Sequence, residues 1–364
     1  MSICFAFNAM SPKKSAMKAE RRRIEENNSQ RQRWHLWGPY LSERQWGTVR
    51  EDYSADGDAW NYLPHDQARS RAYRWGEDGL AGISDYKERL CFAWAFWNGT
   101  DPILKERLFG LTGPQGNHGE DVKELYWYLD NTPSHSYMRV LFRYPQASFP
   151  YQELVSQSAA RSRMQPEFEL WHTAVLAGNR FFDIEITYAK AAPDDILICA
   201  TATNRGVEPA TLHLLPTIWF RNTWTWGRNN RKPILQEAAP NVIEAVHHEL
   251  GNYVLHCEKA DAPGRPGDFL FTENESNFER LWAVPNHSPF VKDSINDAII
   301  QDRGELVNPG KVGTKAAAEQ CVLRPTGTQL SRSAPAPVRS ILNRVSCSVE
   351  SEILVLERKA SSVA

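Results

Sequence analysis

Residues 180–206 read RFFDIEITYAKAAPDDILICATATNRG, two runs that lie on either side of a short turn. In the first run every second side chain is apolar, which is the period of a β-strand with one buried face. The apolar positions are Phe182, Ile184, Ile186 and Tyr188, and the polar positions between them are Asp183, Glu185 and Thr187. The segment AAPDD has turn composition and leads into the second run. The stretch therefore predicts two consecutive strands.

Further strand signals lie on both sides of this stretch. RLCFAWAFWNG (89–99) is a continuous apolar run that ends in Asn-Gly, as in a strand buried on both faces. KELYWYLD (123–130) alternates, TLHLLPTIWFRN (211–222) is strand-like, and HHELGNYVLHC (247–257) predicts a hairpin around Gly251 and Asn252. Strands recur at short intervals without helical periodicity between them. The fold class predicted is mainly β, an antiparallel β-sandwich of the supersandwich type.

The sequence divides into three predicted parts. Residues 1–36 form an N-terminal extension with a short polar helix, and residues 37–318 form the β-sandwich domain. In residues 319–364 the composition shifts to Ser, Arg and Pro, and no aromatic residue follows Phe290. Two interpretations of this tail stay open: a natural irregular or disordered tail, or an out-of-frame translation of the gene. We expect it to be protease-sensitive.

The overall composition excludes several classes of function. The chain has 42 basic and 44 acidic residues and a formal net charge of −2, so a basic nucleic-acid-binding surface is not expected. No apolar run reaches about 18 residues, the length that a membrane span needs. The N-terminal apolar stretch precedes its positive charges, the reverse of a secretory signal, which predicts a cytoplasmic protein. The six cysteines form no CxxC pair, and neither a metal nor a cofactor is predicted.

Tryptophan is the composition signal that points to a ligand. The 13 tryptophans concentrate in loops where they alternate with acids, arginines and asparagines. The apolar face of a sugar ring stacks on indole, and its hydroxyls need polar groups around the rim. The predicted substrate-binding residues are Trp46, Asp56, Asp58, Trp75, Glu77, Asp78, His118, Glu120, Arg221, Asn222, Trp224 and Trp226. The alternative is that the tryptophans pack a corner of the sandwich or a domain interface, and that the acids lie in polar turns or ion pairs.

Catalytic signatures are weak by comparison. Glu77 and Asp78 form a pair of carboxylates, which glycoside hydrolysis requires, but sequence neighbours seldom flank a bond from opposite sides. Their alternative role is ion pairing with nearby arginines. HHELGN (247–252) resembles a zinc-protease helix but lacks the second histidine. No phosphate-binding loop, dinucleotide fingerprint or serine-hydrolase elbow is present.

Five long motifs carry a resemblance to a known family. They are WGPYLSERQWGTVREDYSADGDAW (37–60), YRWGEDGLAGISD (73–85), WNGTDPILKERLFGLTG (97–113), GNHGEDVKE (116–124) and LLPTIWFRNTWTWG (214–227). Together they resemble the N-terminal region of glucosidase-like proteins of the mannosylglycerate-hydrolase-like and family 63 glycoside hydrolase group. The resemblance runs from about Trp34 to about Ala318.

The resemblance implies an N-terminal β-sandwich followed by an (α/α)6 barrel that holds the acid and base of an inverting glycosidase. Nothing after residue 300 has the sustained periodicity of barrel helices, so no catalytic residue is carried over to this chain. We therefore expect the sandwich portion of a glucosidase-like glycoside hydrolase, inactive alone, with an oligosaccharide or small glycoside as the ligand of the full-length protein. The alternative is a non-catalytic carbohydrate-binding or accessory domain that docks a separate helical barrel.

Overall fold

The computed structural model describes residues 12–41, 54, 56–57, 63–116, 121–227, 231–257, 269–318, 320–324 and 351–358. Strands are numbered β1 to β18 and helices α1 to α5 in chain order. The helices are α1 (Pro12–Asn28), α2 (His65–Ala68), α3 (Tyr151–Ala159), α4 (Phe278–Trp282) and α5 (Ser294–Ile300).

Two large antiparallel sheets dominate the fold, as predicted. The seven-stranded sheet has the order β1-β2-β3-β10-β16-β14, with β17 also paired to β10. Its strands are β1 (Trp37–Tyr40), β2 (Ile83–Asp85), β3 (Leu90–Trp97), β10 (Ala210–Phe220), β14 (Phe269–Thr272), β16 (Lys315–Ala318) and β17 (Gln320–Arg324).

The nine-stranded sheet has the order β15-β11-β12-β13-β18-β9-β8-β7-β6. Its strands are β6 (Leu125–Asn131), β7 (Tyr137–Pro145), β8 (Phe181–Ala192), β9 (Asp195–Asn204), β11 (Ile234–Ala239), β12 (Val242–His247), β13 (Gly251–Cys257), β15 (Val312–Gly313) and β18 (Ser351–Arg358). A small third sheet pairs β4 (Gly110–Leu111) with β5 (Asp121–Val122).

The core lies between the two large sheets. The apolar positions of β8 that the alternation predicted are all buried, and they pack in one cluster with residues of the seven-stranded sheet such as Phe92, Trp94 and Ile218. β8 and β9 pair as neighbours with Ile186 opposite Ala200. The prediction of an antiparallel β-sandwich is therefore confirmed.

The run Leu90–Trp97 is buried on both faces, as its continuous apolar sequence predicted. Phe92, Trp94 and Phe96 face the sandwich core, whereas Ala95 belongs to a second cluster on the outer side of the sheet. Ile295 of α5 packs in that outer cluster. An outer layer over this sheet explains why β3 has no polar face.

Two local predictions differ from the structure. The turn of the predicted hairpin lies at residues 248–250, and Gly251 is the first residue of β13, with φ at 86° and His247 as its partner. In β6 both faces are largely open, since Trp127 and Tyr128 are about equally exposed at 42%. β6 is the last strand in the order of its sheet, and a register shift follows Tyr128.

The two ends of the chain contain regular structure. The predicted N-terminal helix is present as α1, and a short 3-10 turn at Trp34–Leu36 links it to β1. In the C-terminal part, β17 and β18 are strands of the two large sheets. The prediction of an irregular tail otherwise concerns positions that lie outside the described residues.

Candidate functional site

Three loops meet at one end of the seven-stranded sheet. They are residues 70–77, the segment 221–227 after β10, and the segment 273–277 after β14. The fully buried Asn274 joins them: its Oδ1 accepts from Tyr73 N at 2.7 Å, and its Nδ2 donates to Tyr73 O at 3.0 Å and Phe220 O at 2.8 Å. One amide side chain thus fixes the relative positions of all three loops.

An aromatic stack lies on the surface of these loops. The rings of Trp75 and Trp226 are 5.0 Å apart between centroids and 20° from parallel. The Arg221 guanidinium lies 5.0 Å from the Trp75 centroid and 5.6 Å from that of Trp226, and its Nε donates to Arg74 O at 2.6 Å. All three side chains are half-buried. We call Trp75, Trp226 and Arg221 the tryptophan–arginine stack; it brings together three of the predicted binding residues.

Two other candidates lie beneath the surface. Trp224 is 9% exposed, and its Nε1 donates to Glu275 Oε1 at 2.7 Å. Asn222 is fully buried and donates to Asn274 O at 2.7 Å. These two residues support the loop, which matches the packing alternative for this part of the aromatic segment.

Glu77 holds the loop that carries Trp75. Its Oε2 accepts hydrogen bonds from the backbone N–H groups of Arg74, Trp75 and Gly76, at 2.8, 2.9 and 3.0 Å. The side chain is fully buried. Three converging amides are a strong local partner for a carboxylate, so Glu77 acts as a fixed acceptor within the loop.

Asp78 lies in a buried group of charges. Its Oδ1 accepts from Arg107 Nε at 2.8 Å, and its Oδ2 lies 2.7 Å from Lys292 Nζ. Burial alone would raise the pKa of Asp78, but the positive charges of Arg107 and Lys292 outweigh it and hold the pKa well below its usual range. The ion-pairing alternative therefore describes Asp78, and its partners come from distant parts of the chain.

The same charged group continues behind Asp78. Lys315 Nζ donates to Glu106, and Arg107 lies 3.8 Å from the same carboxylate. A cavity of about 10 Å³, with room for about one water molecule, is lined in part by Asp78, Glu106, Lys315 and Trp219. A second cavity of the same size lies beside His65 and Arg107. Neither space admits a sugar ring.

The remaining candidates are only partly placed. Asp56 lies in a short described turn. Trp46, Asp58, His118 and Glu120 lie outside the described residues.

One exposed aromatic residue near these loops was missed by the sequence analysis. Trp282 of α4 is 45% exposed, and the Arg71 guanidinium lies 5.2 Å from its ring centroid. Nearby, Asn277 N donates to Ser70 O at 2.8 Å, which ties the start of α4 to the loop that leads to Trp75. The segment FERLWAVPN (278–286) carries a tryptophan among polar residues, and this signal could have been noted.

Metal and membrane features were also searched. Among the described residues, no group of three or more His, Cys, Asp or Glu side chains is arranged to hold a metal ion. No helix in the described ranges is both long and apolar enough to cross a membrane.

Comparison with known proteins shows a yeast relative of this chain. No family model matches the chain. The uncharacterized protein YMR196W of Saccharomyces cerevisiae is 43% identical over 334 residues, an alignment that covers 82% of this chain and 30% of the yeast protein. The chain thus spans less than a third of the length of the curated relative that it matches.

Proposed function

We propose that this chain is the N-terminal β-sandwich portion of a glucosidase-like glycoside hydrolase and that it supplies a binding surface without catalytic carboxylates. The observation that carries the proposal is that Glu77 and Asp78, which lie close to Trp75 in the sequence, both have partners within the protein. Glu77 accepts hydrogen bonds from backbone amides, and Asp78 forms an ion pair with Lys292.

An inverting glycosidase needs one carboxyl that donates a proton and another that activates water, about 6.5 to 9.5 Å apart with the sugar between them. Glu77 is fully buried and bound by three amides, and Asp78 is held ionised by two cations. An ionised, ion-paired carboxyl is a poor general acid. Neither Glu77 nor Asp78 is therefore placed to act as this acid or base, and we infer that the proposed reaction uses other carboxylates.

The tryptophan–arginine stack supports the binding role. The two stacked indoles are half-buried and so keep part of their apolar surface open, while the Arg221 guanidinium lies over the rings and Arg74 Nη2 donates to Thr225 Oγ1 at 3.0 Å. That combination suits the face and hydroxyls of a glucoside. It equally suits a protein surface such as the helical region that the family resemblance implies.

The catalytic half of the proposal is tested by assaying the purified chain on α-glucosides. We expect no turnover above buffer. Turnover that disappears in Glu77→Gln or Asp78→Asn, with the fold intact by circular dichroism, would overturn the proposal.

The binding half is tested by titrating glucose-containing oligosaccharides into the wild-type chain and into Trp226→Ala. We expect saturable binding that this substitution weakens. Trp171→Ala is the matched control, because Trp171 is 60% exposed and lies in a different short helical turn, Leu170–His172. Flat titrations with the wild-type chain would count against the sugar-binding role, and a binding assay with the remaining part of the longer yeast relative would then test a protein contact.

A further inference from the structure

The nine-stranded sheet has an unusual centre. β18 lies between β9 and β13 and is antiparallel to both. It pairs with β9 from Ser351 opposite Thr201 to Glu357 opposite Asp195, and with β13 from Leu354 opposite Cys257 to Arg358 opposite Tyr253. The middle of this sheet is thus completed by the last described strand, which follows positions 325–350 in the chain.

The neighbours of β18 form a slot with a buried floor. With β18 removed, β9 and β13 would stand about 9.6 Å apart, two strand spacings, too far to hydrogen-bond with each other. Their facing N–H and C=O groups would lose their partners along both edges. Ile196 and Ile198 of β9 and Leu255 of β13 are fully buried beside this position. An empty slot would therefore expose both backbone groups and core.

The sequence of β18 suits the slot. SEILVLER (351–358) has an uninterrupted apolar centre with charged residues at its ends. Leu354 and Leu356 occupy the register positions opposite Ile198 and Ile196, the core residues of β9.

We propose that the slot between β9 and β13 is a strand-binding site, and that its ligand is this chain's own segment Ser351–Arg358, which a free peptide of the same sequence can replace. Recognition has two parts. The two backbone ladders do not depend on the sequence of the strand, whereas the register positions opposite Ile198 and Ile196 require apolar residues. This is strand addition between two strands, where ordinary strand addition uses one exposed edge. The inference does not depend on the proposed function, because it concerns the opposite sheet.

The first test cuts the chain after it has folded. A site for a specific protease is placed within positions 325–350 of the full chain, and the folded protein is cleaved there. We expect the C-terminal fragment, which contains Ser351–Arg358, to stay with the body through size-exclusion chromatography and to exchange slowly for a fluorescent peptide SEILVLER. A peptide of the same composition in scrambled order should not enter. Immediate loss of the fragment from a body that keeps its fold and its amide protection would overturn the proposal.

The second test removes a backbone donor from the strand. Val355 lies opposite Leu197 on β9 and His256 on β13, so Val355→Pro breaks a ladder position at the strand centre. We expect faster hydrogen exchange at residues 195–201 and 253–257 and saturable binding of the labelled peptide. Val355→Ile keeps the donor and the branched shape and should do neither. Unchanged protection of both strands in Val355→Pro would contradict the inference; if this variant unfolds, the cleavage test decides alone.

Discussion

Asp78 offers the sharpest test of how the site is built, because the same residue could serve catalysis or folding. Its two partners are almost inaccessible to water: Lys292 is 0% and Arg107 3% exposed. Asp78→Asn keeps the side-chain shape and one acceptor oxygen but removes the negative charge. Two buried cations then lose a counterion, and breaking a buried pair in this way costs about 3–5 kcal/mol.

The chain provides a matched control at its surface. Asp66 also contacts two arginines, Arg280 at 2.7 Å and Arg69 at 3.3 Å, but its side chain is 67% exposed. Exposed ion pairs contribute about 0–1 kcal/mol, so Asp66→Asn should change the free energy of unfolding by less than about 1 kcal/mol. The two substitutions are chemically identical and differ in burial.

The assay is urea denaturation of both variants at neutral pH, followed by fluorescence and circular dichroism. The double variant Asp78→Asn/Lys292→Met completes a double-mutant cycle. Its loss in free energy of unfolding should be smaller than the sum of the losses in the two single variants, because the two charges interact. If Asp78→Asn destabilises the chain no more than Asp66→Asn, the ion network does not hold the fold and our account of Asp78 is wrong.

The pH dependence of the same group has a defined sign. The pKa of Asp78 is lowered in the folded state, so its contribution is present above the unfolded pKa, about 3.9, and is lost as the pH falls below that value. Acid unfolding of the wild-type chain should therefore begin at a lower pH than unfolding of a chain without the Asp78 charge. In Asp78→Asn, the free energy of unfolding should depend less steeply on pH in the acid range.

Three further predictions concern Lys190 of β8 and the two residues that hold the site loops, Asn274 and Glu77. Burial lowers the pKa of Lys190 to about 7. Between pH 7 and the unfolded value of about 10.4 the unfolded chain therefore binds more protons than the folded chain, and the free energy of unfolding rises with pH. Lys190→Met should flatten that rise when urea denaturation is repeated at a series of pH values. Asn274→Ala removes an amide that bonds three loops and should lower the free energy of unfolding by about 2–4 kcal/mol, whereas a change under about 0.5 kcal/mol would refute its joining role. Glu77→Gln keeps an acceptor oxygen for the loop amides and should destabilise the chain less than Glu77→Ala, with equal losses arguing that the hydrogen bonds are unimportant.

Local periodicity predicted the strands whose environment is uniform along their length. Phe182 to Tyr188 alternate because β8 has one core face, and Leu90 to Trp97 are all apolar because that strand is covered on both sides. The insertion of β18 between β9 and β13 could not be predicted in this way, since it is a pairing between segments far apart in the chain.

The same limit applies to the site. Trp224 and Trp226 stand two positions apart in one loop, yet the first is buried on Glu275 and the second is stacked on Trp75. A loop has no fixed period, so its sequence does not assign its side chains to inside or outside. Likewise, the partners of Asp78 are supplied by tertiary structure, which the adjacent RWGEDG motif does not contain.

The polar groups beneath the tryptophan–arginine stack give the proposed binding surface a fixed geometry. Glu77 fixes the backbone at Arg74 to Gly76, and Asn274 fixes the neighbouring loops, so Trp75 and Trp226 are held before any ligand arrives. Binding to a surface that is already ordered avoids the cost of immobilising side chains and loops. On the proposed function, Asn274→Ala should weaken ligand binding by loosening the loops, even though Asn274 is fully buried. In a crystal or spectroscopic comparison, the variant should show the two indoles no longer parallel; an intact stack together with unchanged binding would show that preorganisation by Asn274 plays no part.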